Sequence, residues 1–127
     1  MSPTPQEAWA FLPWGYLLTV LLEAPILLVG LSRRLSWRER LAAGLWLTAC
    51  TYPIVVVVLP PLLWQPYGRG WYLLVAETFA PVAECVLFRL AYGAGRSRAV
   101  LWRDFAVITA ANLVSFGAGE LLDHLRG

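Results

Sequence analysis

The chain is predicted to be all-α: a polytopic membrane protein whose four antiparallel transmembrane helices pair as two hairpins in a single domain, residues 1–127. Three observations predict this. First, 59% of the residues are hydrophobic and only 14% charged, more apolar surface than a small water-soluble domain can hide. Second, the apolar residues gather in four segments, about 14–31, 41–63, 71–92 and 99–122. Each is near the roughly 20 residues that cross a hydrocarbon core of about 30 Å. Third, all 10 basic residues are arginine, and they cluster. Arg33, Arg34, Arg38 and Arg40 fill the first loop, and Arg89, Arg96, Arg98 and Arg103 flank the third. Under the positive-inside rule both of these loops are cytoplasmic and both termini extracytoplasmic, as in a bacterial-type inner (plasma) membrane. Short arginine loops beside a bilayer serve topology and headgroup contact, so no nucleic-acid partner is expected.

Residues 1–13 carry Pro3, Pro5 and Pro13 with Glu7, and read as an extracytoplasmic tail. Nothing basic precedes the first apolar segment and no small-residue cleavage pattern follows it, so it is expected to be a retained helix. Thr19, Glu23, Ile26 and Gly30 share one face of that helix, and Pro25 withholds a backbone donor next to Glu23, which predicts local loosening. The short loop SRRLSWRER then forces an antiparallel hairpin, with Leu35 and Trp37 expected to dip into the interface.

The second span places Gly44, Thr48, Thr51, Tyr52 and Val55 on one side. Its β-branched run Val55 to Val58 would favour a strand in water, but lipid leaves unpaired backbone groups no partner and so favours helix. Pro60 and Pro61 are expected to end it, and LWQPYGRGW (63–71) to form an interfacial cap. In the third span Leu73, Glu77, Ala80, Pro81, Glu84, Phe88 and Ala91 fall on one stripe. In the fourth, Ala111, Ser115 and Gly119 recur every four residues, a ridge of small side chains suited to close helix packing. Asn112 lies at its edge, with Thr109, Phe116 and Glu120 on a neighbouring face.

A shift of 61 residues lays LTACTYP (47–53) on ITAANLV (108–114), pairing Thr48 with Thr109, Thr51 with Asn112 and Glu23 with Glu84. A shift of 56 competes, aligning the Ala-Pro pairs at 24–25 and 80–81. Either describes an internal repeat of two hairpins, parallel about an axis near the membrane normal.

The chemistry concentrates in carboxylates. Glu23, Glu77 and Glu84 lie within spans, and no lysine, arginine or histidine lies at their depth. An acid at the bilayer centre costs about 2.5–3.5 kcal/mol, so a set of three calls for shared hydrogen bonds or a function. Low dielectric and a neighbouring acid both disfavour a charged carboxylate, which makes such a group apt to bind and release a proton. Asn112, Thr51 and Tyr52 are the side chains expected to orient these acids, while Glu120, near His124 and Asp123, reads as a solvated terminus. Oxygen ligands of this kind would suit a hard cation if a metal binds, yet the spacing names none, and E-x-x-H and H-E-x-x-H are both missing from the sequence. Ser115 has no histidine or lysine base, and Cys50 and Cys85 read as packing residues, not as a CxxC pair. No cofactor is expected, and an enzyme is the weaker reading.

In size, four-span plan and a carboxylate in the first span, the chain resembles the small multidrug-resistance transporters. The resemblance is one of architecture: that family's pattern around its membrane glutamate does not lie on Thr19 to Pro25. The expectation is therefore a small membrane transporter or channel for a proton or small cation, acting through a glutamate-lined cavity as a monomer or homodimer. The competing expectation is a non-catalytic scaffold or accessory subunit that docks a membrane partner through helix faces such as Ala111, Ser115 and Gly119.

Overall fold

The structure, a computed structural model, describes residues 3–126 and is all-helical over them. Four long helices follow one another: α1 (Pro5–Gly30), α2 (Trp37–Tyr67), α3 (Arg69–Tyr92) and α4 (Arg98–Arg126). α1 packs on α2 and α4, and α3 packs on α2 and α4, so the helices form a ring around a common axis.

Three helices, Pro5–Gly30, Trp37–Tyr67 and Arg98–Leu125, are long and apolar enough to cross a membrane. The other, α3, is the helix that carries Glu77 and Glu84. The surface agrees with a lipid surround. Leu90, Trp14 and Val29 are 78%, 72% and 71% exposed, whereas Glu23, Thr48, Thr51, Glu84, Asp104 and Asn112 are buried. Large apolar side chains facing outward while Glu23, Glu84 and Asp104 are buried suit a hydrocarbon surround, because in water the same arrangement forfeits apolar burial.

The helix ends differ from the expected ones. Residues 1 and 2 of the expected tail lie outside the described residues, but α1 already begins at Pro5. Thr4 caps it: its Oγ1 accepts from the Glu7 amide at 3.2 Å, and its own amide donates to Glu7 Oε1 at 3.2 Å. Pro5 sits in the first turn, where its missing N–H costs nothing. The same device opens α2, with Ser36 and Glu39 reciprocally bonded at 3.1 and 2.9 Å. Both are S/T-x-x-E patterns visible in the sequence.

Nor does α2 stop at Pro60. Beyond Pro53 its turns widen, the Leu59 amide reaching back five residues to the Ile54 carbonyl and the Gln65 amide to the Pro60 carbonyl. A wider turn makes room for proline rings that would strike the preceding carbonyls of a regular α-helix, so the chain stays helical through Pro53, Pro60, Pro61 and Pro66. Lipid strengthens the preference for continued helix. The expected nine-residue cap shrinks to one residue, Gly68, with φ +99° and ψ 164°. That region is essentially reserved for glycine. Gly68→Ala is expected to destabilise the fold by about 1–3 kcal/mol. Gly70→Ala, two residues on in the first turn of α3 and in open space, is the control expected to be nearly silent; unfolding of both variants by SDS titration measures the difference.

The interior divides into a dry half and a polar half. Leu27, Leu31, Leu35, Ala43, Leu47, Phe88, Ile108 and Ala111 form a buried cluster toward the arginine-rich loops. Leu35 therefore belongs to the core, not to the interface, while Trp37 is exposed with the Arg38 guanidinium 5.3 Å from its ring centre. Close approaches set the register here: Gly44 lies against Ala24 and Leu27, and Gly30 against Val107. At this end Asp104, fully buried, accepts from the Ser32 amide at 2.8 Å and ties the first loop to α4. Ala91, expected on the inner stripe of α3, is exposed.

Candidate functional site

The other half of the ring encloses a cavity of about 260 Å³, lined by residues of all four helices. Its floor lies where the dry cluster ends, and consists of Glu23, Thr48, Thr51, Glu84 and Asn112. Helical period accounts for the convergence. Glu23 stands four residues before Leu27 on α1, Thr48 and Thr51 one and four after Leu47 on α2, Glu84 four before Phe88 on α3, and Asn112 four after Ile108 on α4. Most of the polar floor is thus the next turn of the stripes that build the core.

Glu23 and Glu84 are each 2% exposed. Glu84 Oε2 accepts from Thr51 Oγ1 at 2.8 Å, and its Oε1 accepts from Asn112 Nδ2 at 3.2 Å. Glu23 Oε2 accepts from Ser115 Oγ at 2.7 Å, while its Oε1 has no partner. Ser115 Oγ also lies 3.1 Å from the Asn112 backbone carbonyl, so Asn112 meets the Glu23 side through its main chain and Glu84 through its side-chain amide. Thr51 Oγ1 is likewise 3.2 Å from the Leu47 carbonyl. Each of these two hydroxyls owns a single hydrogen and faces two acceptors. A proton on the adjacent carboxyl would supply the missing donor, so the hydrogen bonds are complete with the acids neutral. The only ion pair among the described residues is elsewhere, and no arginine contacts Glu23 or Glu84.

Other expected site residues sit farther from this network. Glu77 lines the cavity wall but is exposed and makes no side-chain hydrogen bond among those described. Tyr52 also lines it, its ring edge toward Tyr16 with centres 6.5 Å apart and its hydroxyl directly over Gly15. The ridge of small residues faces inward: Ala111 is in the core, Ser115 reaches Glu23 of α1, and Gly119 lines the cavity with open space where a Cβ would stand.

The end of the cavity near Gly68 holds residues that the sequence reading passed over. Arg69 bonds both oxygens of Glu120, at 2.8 and 2.6 Å, joining the start of α3 to the end of α4. Glu120 is thus paired with Arg69 while both side chains stay partly open to solvent, 37% and 42% exposed, so the solvated end of α4 carries an ion pair. Tyr72 donates to the Val55 carbonyl at 2.9 Å and stacks on Trp64, centres 5.2 Å apart. A basic residue directly after the turn glycine and an acid in the last turns of α4 were the available signals, but pairing across 51 positions is not legible from spacing.

Because Gly119 borders this space, Gly119→Leu is expected to narrow the route to the floor without disturbing the packing below it. With Cys50 and Cys85 replaced by serine, a cysteine placed at Thr19 in the lining should react with a small charged thiosulfonate. Adding Gly119→Leu should slow that reaction about tenfold, equivalent to roughly 1.4 kcal/mol on the barrier.

Set against protein-family models, curated proteins and solved structures, the chain matches none.

Proposed function

We propose that the protein is a small integral membrane transporter or channel that handles a proton or small cation through this glutamate-floored cavity. The observation that carries the reading is the linked pair Glu23 and Glu84, both buried at the foot of a cavity with no basic counter-ion and with one Glu23 oxygen unpartnered. Buried carboxyls are costly in lipid, and the hydrogen bonds holding them are individually worth only about 0.6 kcal/mol, so packing is a weak reason to keep them.

In this reading all four helices span the bilayer, α3 included, sheltered by its neighbours on the face that bears Glu84. The arginine-rich loops face the cytoplasm of a bacterial-type inner membrane, both termini face out, and the cavity opens to the outside. The dry cluster then separates the acids from the cytoplasm, which makes this an outward-open state. Passage would require the cluster around Leu47, Phe88 and Ile108 to open, alone or in a homodimer. Lipid is the standing partner, and no cofactor enters the reading.

A second reading has one observation in its favour: both oxygens of Glu84 are already bonded. On that view the acids are interhelical ties, and the protein is a scaffold or accessory subunit. Purified protein in liposomes separates the two. A flux driven by an ion or pH gradient, lost in Glu23→Gln and Glu84→Gln, supports transport; no flux from well-folded parent protein leaves the scaffold.

A further inference from the structure

The arginine-rich end holds a buried acid that the cavity does not use. Asp104 is fully buried, and only one of its oxygens is spent: Oδ1 accepts from the Ser32 amide at 2.8 Å, while Oδ2 has no partner. Arg96 is its counterpart. Its Nε donates to the Tyr92 carbonyl, while its Nη1 is buried and has no acceptor among the described residues. The Arg96 guanidinium lies within electrostatic range of Asp104, yet the two do not touch, since Arg69 with Glu120 is the only ion pair among the described residues. Arg103, the other cation within that range, is exposed. We propose that Ser32, Arg96 and Asp104 are the parts of a clasp, half made in this structure, which Arg96 closes by moving onto Asp104 Oδ2. Closed, it holds the arginine-rich end shut over the dry cluster; open, it frees that end to part. As the inner gate of a pathway the clasp rests on the transport reading above; as a two-position contact it does not.

Four observations carry this. First, the clasp adjoins the dry cluster at three points: Ser32 follows Leu31, Tyr92 stands four residues after Phe88, and Asp104 four before Ile108. Second, opposite charges buried within range of each other, with a bonding position open on each, are penalised in low dielectric, and contact between them removes both penalties at once. Arg40, the other arginine buried here, has no such opening, because it bonds the Leu28 and Ser36 carbonyls. Third, Arg96 sits on a connection that can shift. Gly95 beside it has φ +74° in open space, and Ser97, whose Oγ accepts from the Val100 amide at 3.3 Å, anchors the start of α4. Only residues 93–96 need to move. Fourth, Arg96 has a second acid within electrostatic range, Glu39, exposed in the first turn of α2. A guanidinium between a buried acid and an exposed one has two positions, and two positions make a switch where one would make a fixed tie.

The test reads exposure of the dry cluster. With Cys50 and Cys85 replaced by serine, Ala43→Cys puts one thiol at a fully buried position of the cluster, and its rate of reaction with N-ethylmaleimide in nanodiscs measures how often this end opens. Asp104→Asn keeps an acceptor for the Ser32 amide, and Arg96→Gln keeps a donor for the Tyr92 carbonyl, so each removes the charge contact alone. Each is expected to raise the rate about threefold, and the two together no more than either one. Glu39→Gln is expected to slow the reaction, because it removes the competing partner while a glutamine still completes the Ser36 cap. A purely structural tie gives no such opposition of sign. Effects of Asp104→Asn and Arg96→Gln that multiply, or a rate that Glu39→Gln leaves unchanged or raises, overturn the inference. Glu39 is exposed, so its variant decides the matter even where the buried substitutions fail to fold. Liposome flux keeps the two proposals apart. Opposed rate changes in protein that carries no flux leave the clasp standing and remove the pathway, and flux in protein whose labelling ignores all three variants does the reverse.

Discussion

Glu84→Gln is expected to abolish flux while leaving the fold nearly as stable as the parent, and Glu84→Leu to abolish flux and destabilise it. The hydrogen-bond inventory separates the two. A glutamine carbonyl can accept from Asn112 Nδ2, and its amide can donate to Thr51 Oγ1, whose own hydrogen then goes to the Leu47 carbonyl. Every member keeps a partner, but position 84 can no longer carry a proton or attract a cation, which leaves Glu23 alone. Leucine offers no acceptor. Asn112 Nδ2 retains the Ile108 carbonyl at 2.9 Å, so the loss falls short of a fully orphaned amide. A cost of about 1–3 kcal/mol follows for the unsatisfied groups. Glu23→Gln obeys the same logic, its amide donating to Ser115 Oγ while that hydroxyl donates to the Asn112 carbonyl. Liposome flux and SDS unfolding on the same preparations check both halves. Unfolding of Glu84→Gln as early as Glu84→Leu would mean that the network is chiefly a tie between helices.

The largest loss of stability is expected from Phe88→Ala, about 3–5 kcal/mol. Phe88 is fully buried at the centre of the dry cluster, with Tyr92 one turn below at a ring separation of 5.2 Å. Lipid tails are as apolar as a phenyl ring, so the hydrophobic transfer term is small inside a membrane protein and dispersion contacts carry the packing. A void there loses those contacts outright. The same substitution is expected to loosen the barrier between the carboxylates and the arginine-rich end. Phe88→Leu, which refills most of the volume, should recover most of the stability. Reversible unfolding of the parent and both variants in mixed micelles measures these stabilities, and an unchanged midpoint for Phe88→Ala would show that this half is not the packed one.

Much of the fold is legible locally, because hydropathy, helical period and end caps each depend on neighbours within a few residues. The apolar segments follow from composition, and the stripe through Glu84 and Phe88 from a period of 3.6 residues. The helix ends were misjudged where prolines were read as stops. Pro60 and Pro61 do break an α-helix in water, yet widened turns carry α2 to Tyr67 with its backbone still bonded. The Thr4 and Ser36 caps were in plain view and would have placed the starts of α1 and α2 correctly. Asp104 lay outside the sequence reading because an acid flanked by arginines resembles a solvated helix start, whereas its burial depends on a loop 72 residues away.

The sequence by itself determined that this chain is dominated by long apolar helical segments, and that Glu23, Thr51, Glu84 and Asn112 lie on the stripes that continue into its core. Tertiary structure alone decided which acid meets which donor, that Glu77 stays at the wall while Glu23 and Glu84 are buried at the floor, and that the cavity extends to Arg69 and Glu120. The physical reason is register. Composition and period fix the face a side chain occupies, but its height against a neighbour is set by close contacts such as Gly44 on Ala24 and Gly30 on Val107, and one turn of sliding would pair different residues.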